Sequence, residues 1–202
     1  MKLSFVVVAF ENPRALRTCL SSLLDQTEQD FEIIVCDNSI DEDIASDIDC
    51  LCSQLGHRIH YEWTADRTIL TDPVCRHSRC LYTATEIGAG WATGDFLCFP
   101  NADSYYAPVF AERMLSAAAA TSCDLVYCDF VHGLPKCKYL VMESVCCPGR
   151  VDKTTFILRR SLFAGFPDKR ASYELADGLL IDRLVRDGIS RKRVAEVLCV
   201  HN

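Results

Sequence analysis

The stretch that most constrains this chain is Phe96-Leu97-Cys98-Phe99. Four apolar residues are too few for a helix, and with no polar residue alternating among them they suit only a strand covered on both faces. Gly94-Asp95 closes off a preceding helix, and Asn101-Ala102-Asp103 makes a polar tip at the strand's carboxyl end. A strand of this kind implies an α/β fold, and in open α/β sheets ligands gather beyond the carboxyl ends of the strands. Asn101 and Asp103 are therefore candidate binding residues. A carboxylate there can hold a divalent cation that also grips phosphates. Equally, Asp103 could cap a helix entered through Ser104-Tyr105-Tyr106-Ala107-Pro108.

The rest of the chain alternates in the same style. Ser4 to Phe10 reads as a first strand, and Asn12-Pro13 opens a helix with Leu16, Leu20, Leu23 and Leu24 at helical spacing. Phe31 to Cys36 is a second strand that ends in Asp37-Asn38-Ser39. Residues 41 to 55 form an acidic helix, and Ile59 to Trp63 a third strand. A helix runs from Asp72-Pro73 to Trp91 and another from Pro108 to Ala120, followed by a strand from Leu125 to Phe130. His132 to Arg150 lacks a period and reads as an irregular excursion. Thr154 to Leu158 and Arg193 to Val200 are strands, and Glu174 to Val185 is a helix with Asp177 in its first turn. Ala9, Phe10 and Glu11 end the first strand at the same edge as Asp37. On its residues alone Asp37 could simply close its strand in an Asx turn, and Asp177 could satisfy first-turn N–H groups.

Length and charge narrow the function. A chain of 202 residues, half of them hydrophobic, suits one domain with a full core. Its net charge of −7, with no basic face, excludes a nucleic-acid polymer as partner. The apolar run Leu3 to Phe10 ends at Glu11-Asn12-Pro13 without a small-residue cleavage site, so it is expected to be a strand rather than a leader. No transmembrane segment is expected. Thirteen cysteines, mostly within apolar runs and with no Cys-x-x-Cys pair, fit buried free thiols in a cytoplasmic protein.

In order and spacing these features resemble the family 2 glycosyltransferases, which have the GT-A fold. Gly94-Asp95, the short strand and Asn101-Ala102-Asp103 are similar to the family's core, where Asn101 stands at the first Asp of an Asp-X-Asp motif. Ala84-Thr85-Glu86-Ile87-Gly88 occupies the place of Ala-Arg-Asn-x-Gly, and Arg76 or Arg79 could face a diphosphate in its stead. Arg159-Arg160-Ser161-Leu162-Phe163 and Gly165-Phe166-Pro167-Asp168 resemble the segment before the catalytic helix. Ala176-Asp177 resembles the family's Glu-Asp pair, and Gly149 its acceptor-loop glycine.

The resemblance implies one Rossmann-like GT-A domain over 1–202, with a mostly parallel central sheet flanked by helices. Residues 1–103 would form the nucleotide-sugar half and 104–202 the acceptor half. It implies transfer of a sugar from a nucleoside diphosphate, UDP or GDP, to a carbohydrate or other hydroxyl acceptor, with inversion. Asp177 would be the general base; Ala9, Phe10, Glu11, Asp37, Asn101 and Asp103 would bind the donor. Asp103 and His201 would hold Mn²⁺ or Mg²⁺, an imidazole favouring Mn²⁺. The alternative is a catalytically inactive nucleotide-sugar-binding relative on the same fold.

Overall fold

β1 (Leu3–Ala9) is buried along all seven residues and is the axis of the sheet. The computed structural model describes residues 1–64, 76–134, 138–147, 150–167 and 176–201, with backbone alone at 76–80 and 134. β2 (Phe31–Asp37) pairs parallel to β1 from Leu3↔Phe31 to Ala9↔Asp37, and β3 (Ile59–Trp63) pairs parallel to β2. On the other side of β1 lies β4 (Phe96–Cys98), fully buried as its composition requires.

Beyond β4 the sheet continues through β8 (Phe156–Arg159), β6 (Leu125–Leu134) and β9 (Arg191–His201) to the two-residue β5 (Tyr105–Tyr106). β7 (Lys138–Met142) pairs with β6 alone. β8 is antiparallel to both β4 and β6, and β9 is parallel to β6, so β1, β2, β3, β4, β6 and β9 all run the same way. Their carboxyl ends make one edge.

Helices cover both faces, each over its own apolar cluster. α1 (Pro13–Leu24), α2 (Glu42–Leu55) and α4 (Phe110–Thr121) bury Leu16, Leu20, Ile48, Leu51, Phe110 and Met114 against Phe5, Val7 and Ile33. α3 (Arg76–Trp91) and α5 (Ala176–Arg186) bury Tyr82, Ala84, Leu180 and Ile181 against Val6, Val8, Leu97 and Leu158. The α1 start is as its sequence dictates: Asn12 Oδ1 accepts from Ala15 N at 3.0 Å, with Pro13 at the first helical position. Gly88 is needed for packing, because a Cβ there would lie 2.6 Å from both Cys36 Sγ and Val6 Cγ1.

Three expectations are corrected. Asp103 does not cap a helix: it belongs to a turn closed by Ser104 N donating to Asn101 O at 3.0 Å, and the chain then forms β5 before α4 begins at Phe110. Gln26, from the end of α1, serves the α4 start instead, its Oε1 accepting from Ala111 N at 2.8 Å. The stretch after His132 is not irregular throughout: β6 runs on to Leu134 and pairs antiparallel with β7. β7 is exposed on both faces over Lys138–Val141, so it carries no alternation to reveal it. Lys153–Thr155 is a single 3₁₀ turn, and the strand proper starts at Phe156. The expected helix start at Asp72-Pro73, the Arg76 and Arg79 side chains, Gly149, Asp168 and residues 174–175 lie outside the described residues.

Candidate active site

At the carboxyl edge of β1 and β2, Ala9, Glu11 and Asp37 come together. Ala9 O accepts from Asn38 N at 2.9 Å, and Glu11, at a left-handed φ of 47°, donates its N–H to Ser39 Oγ at 2.9 Å. Asp37 is fully buried. Its Oδ1 accepts from Ser39 N at 2.9 Å and Ser39 Oγ at 2.6 Å, and its Oδ2 lies 3.0 Å from the Tyr61 hydroxyl. Burial raises its pKa, against these hydrogen bonds. Asp37 thus closes its strand in an Asx turn, and that turn also shapes the edge on which Phe10 and Glu11 stand.

The tip of β4 adjoins this edge through a bridge between Val8 and Asn101. Here the structure assembles a centre of which the sequence announced only the ends. Its hub is the short run Asp152 to Thr155. Asp152 caps the 3₁₀ turn, its Oδ1 accepting from Thr154 N at 2.8 Å and Thr154 Oγ1 at 2.7 Å, and its Oδ2 lies 3.1 Å from His201 Nδ1 at the end of β9. Lys153 N donates to Asp177 Oδ2 at 3.0 Å, and Lys153 Nζ donates to Phe99 O, at the end of β4, at 3.1 Å. The Tyr106 hydroxyl donates to Thr154 O at 2.9 Å. The Cys128 thiol of β6 donates to Thr155 O at 3.4 Å, so one turn touches β4, β5, β6, β9 and α5.

Asp177 sits in the first turn of α5, as expected, and its Oδ1 accepts from the Tyr82 hydroxyl of α3 at 2.9 Å. Burial pushes its carboxyl up to about 6, reinforced by the Asp152 charge and opposed by Lys153 and Tyr82. The carboxylate is thereby poised to change protonation state near neutral pH. Lys153 is only 2% exposed; burial draws its pKa down, while Asp177, Asp152 and Asp103 act in the opposite direction. Asp103 itself is exposed, and its charge is felt by Lys153 and His201. The two acidic positions singled out by the sequence thus both act electrostatically on the buried Lys153.

His201 is buried, with Nε2 3.2 Å from Asn101 Nδ2. Burial lowers the imidazole pKa, but Asp152 overrides it and the net shift is upward. Asn101 Oδ1 is buried without a hydrogen-bond partner. Among the described residues no group of three His, Cys, Asp or Glu side chains is arranged to hold a metal. The unpartnered Asn101 oxygen, in the same turn as Asp103, is a hard donor of the kind Mn²⁺ and Mg²⁺ accept.

Other motif residues have structural work. Arg159 Nε donates to Asp124 Oδ1 at 2.8 Å, and Arg160 Nε to Gly94 O at 2.7 Å. Glu86 Oε1 accepts from Phe166 N at 2.9 Å, beside Gly165, whose φ of +87° a side chain would strain. The residues that sequence reasoning missed are Tyr82, Asp152 and Lys153. Asp152-Lys153-Thr154 did carry a signal, a capping Asp two residues before a Thr at the head of an apolar strand.

Residues 4–68 match the family model described as Glycosyl transferase family 2. EpsH of Bacillus subtilis (strain 168), named as a glycosyltransferase, is 28% identical over 130 residues, covering 63% of this chain and 33% of its own length. S. aureus TarS 1-349 in complex with UDP superposes with a TM-score of 0.72 at 15% identity, covering 100% of this chain and 60% of that one. The mannosyltransferase PcManGT of Pyrobaculum calidifontis, in complex with GDP-Man and Mn²⁺, gives 0.68 at 15% identity, covering 98% and 56%. This chain therefore spans a third of that curated relative and under two thirds of these structures. The matched segment takes in β1 to β3 and is similar to glycosyltransferase family 2, and the chain as a whole has the GT-A fold of these solved glycosyltransferases.

Proposed function

We propose that this domain transfers a sugar from a nucleoside diphosphate to an acceptor hydroxyl, with inversion at the anomeric carbon. The observation that carries the reading is the Asp177 carboxylate, buried enough to be raised to about 6 and fixed by Tyr82 and the Lys153 N–H. A base so placed takes the proton of the incoming hydroxyl as its oxygen bonds to the anomeric carbon. The bond from that carbon to the diphosphate breaks on the opposite face, and the electron pair leaves with the phosphate. Inversion follows from this single displacement.

Residues 1–103 would serve the donor and 104–202 the acceptor. Ala9, Phe10, Glu11 and Asp37 form the edge on which the nucleoside would rest. Asn101 and Asp103 would meet the diphosphate, and Asp103 with His201 would hold Mn²⁺ or Mg²⁺, which when bound offsets the charge of the departing group. TarS bound to UDP-GlcNAc and PcManGT bound to GDP-Man support a UDP- or GDP-sugar as donor. The acceptor is a carbohydrate or another hydroxyl compound. No helix among the described residues is long and apolar enough to cross a membrane.

The test has two parts. UDP and GDP are screened by thermal shift with and without Mn²⁺, and one of them is expected to stabilise the protein in a metal-dependent way. With the matching sugar donor, Asp177→Asn is expected to lower turnover by about 10²–10⁴-fold while keeping the nucleotide shift. Unchanged turnover in that variant ends the assignment of the base. A second reading, a nucleotide-sugar-binding relative without turnover, is favoured by the hydrogen bonds already made by both Asp177 oxygens. Binding without transfer or hydrolysis of any donor by the unaltered chain would establish it.

A further inference from the structure

We propose that Lys153 is a buried positioning residue that ties the Asp177 carboxylate on α5 to the tip of β4, so that the two acidic arms of the site are held as one unit. The proposal rests on the reading of Asp177 as the base. A lysine that is 2% exposed needs a reason, because an aliphatic side chain would fill the same space without desolvating an ammonium.

The reason lies in a closed circuit of contacts. Lys153 N holds Asp177 Oδ2 at 3.0 Å, and Lys153 Nζ holds Phe99 O at 3.1 Å. The Phe99 ring lies 6.1 Å from that of Phe166, which lies 4.5 Å from that of Tyr82. The Tyr82 hydroxyl returns to Asp177 Oδ1 at 2.9 Å. Each side of the carboxylate is thus tied to the end of β4, once through Lys153, whose backbone N–H holds Asp177 and whose ammonium holds Phe99 O, and once through rings that meet at steep angles. Lys153 is too deeply buried to meet a substrate. It acts through Asp177, and its charge favours the ionised form of that carboxylate, the form that accepts a proton.

Coupling of two titrating groups is reciprocal, so it can be read from either end. The Asp177 carboxyl is followed by ¹³C NMR against pH in the full chain, the Asp177→Asn spectrum identifying its signal. Lys153→Met is expected to raise the Asp177 midpoint by about one pH unit. Lys153→Gln, which keeps a donor toward Phe99 O but no charge, is expected to raise it similarly. Lys153→Arg is expected to leave it near the original value. The acidic limb of kcat/KM for the sugar donor should move in step with the midpoint. Conversely, Asp177→Asn should lower the Lys153 midpoint, read at Cε, and this reading remains if the Lys153 variants fail to fold. Unchanged midpoints at both residues overturn the proposal even where Asp177→Asn abolishes turnover. Shifted midpoints with turnover intact in Asp177→Asn remove the base assignment and leave the electrostatic brace standing.

Discussion

Two carboxylates, Glu32 at the amino end of the sheet and Asp177 at the carboxyl end, receive hydrogen bonds from the chain and respond in opposite directions. Glu32 accepts from Lys2 Nζ at 2.6 Å, Ser4 Oγ at 2.6 Å, Thr93 N at 2.7 Å and Gly94 N at 3.2 Å. Burial pushes its pKa up, but the lysine and these donors outweigh it and bring it down to about 2. Asp177 has two neutral donors, and the Lys153 charge beside it is opposed by the Asp152 anion, so burial prevails. A hydrogen-bonded carboxylate is therefore not one kind of object. At the amino end the fold stabilises a permanent charge that joins β1, β2 and the start of β4; at the carboxyl end it keeps a charge that can be given up.

The contrast can be broken most forcefully at Glu32. Glu32→Ala leaves its donors without their common acceptor and is expected to cost about 1–3 kcal/mol in denaturant unfolding, with no change in the Asp177 titration. The next largest effect should have the opposite sign. The folded pKa of Asp177 lies above its unfolded value of about 3.9, so its ionisation opposes folding as pH rises through that interval toward 6. Asp177→Asn should therefore gain in Tm relative to the unaltered chain between pH 4 and pH 7. A difference that is flat with pH would contradict the environment described for Asp177. For Glu32 the sign reverses: its folded pKa is depressed, and its stabilisation, complete above about 4.3, is lost as pH falls toward 2. The smallest effect is expected from Tyr82→Phe, which removes one neutral donor and should raise the Asp177 midpoint by less than Lys153→Met does. A larger shift than that would make the phenol, not the ammonium, the main control.

The first half of the fold was legible because its signals are local. Asn12-Pro13 begins α1, and the apolar runs of β1 and β2 make strands wherever helices cover both faces. The motif residues were legible to different degrees. Asp177 falls in the first turn of α5 and Asp103 at the strand tip, as their positions in the sequence imply. The centre between them was not. Tyr105-Tyr106 is too short to show a period and is a strand only because β9 lies beside it. Lys153 reads as a surface charge, since nothing near it in sequence shows that Phe99 O and Asp177 will close over it. Glu86, where the family has Asn, was read only as a departure, whereas its partner is a backbone N–H 80 residues away.

The run from Asp152 to Thr155 makes contacts with five elements, β4, β5, β6, β9 and α5, through its own backbone and side chains. A shared keystone of that sort restricts divergence. An inserted residue at the keystone would displace His201, Asp177 and Phe99 together. Variation in this lineage is thus expected to accumulate around the turn and to spare its length.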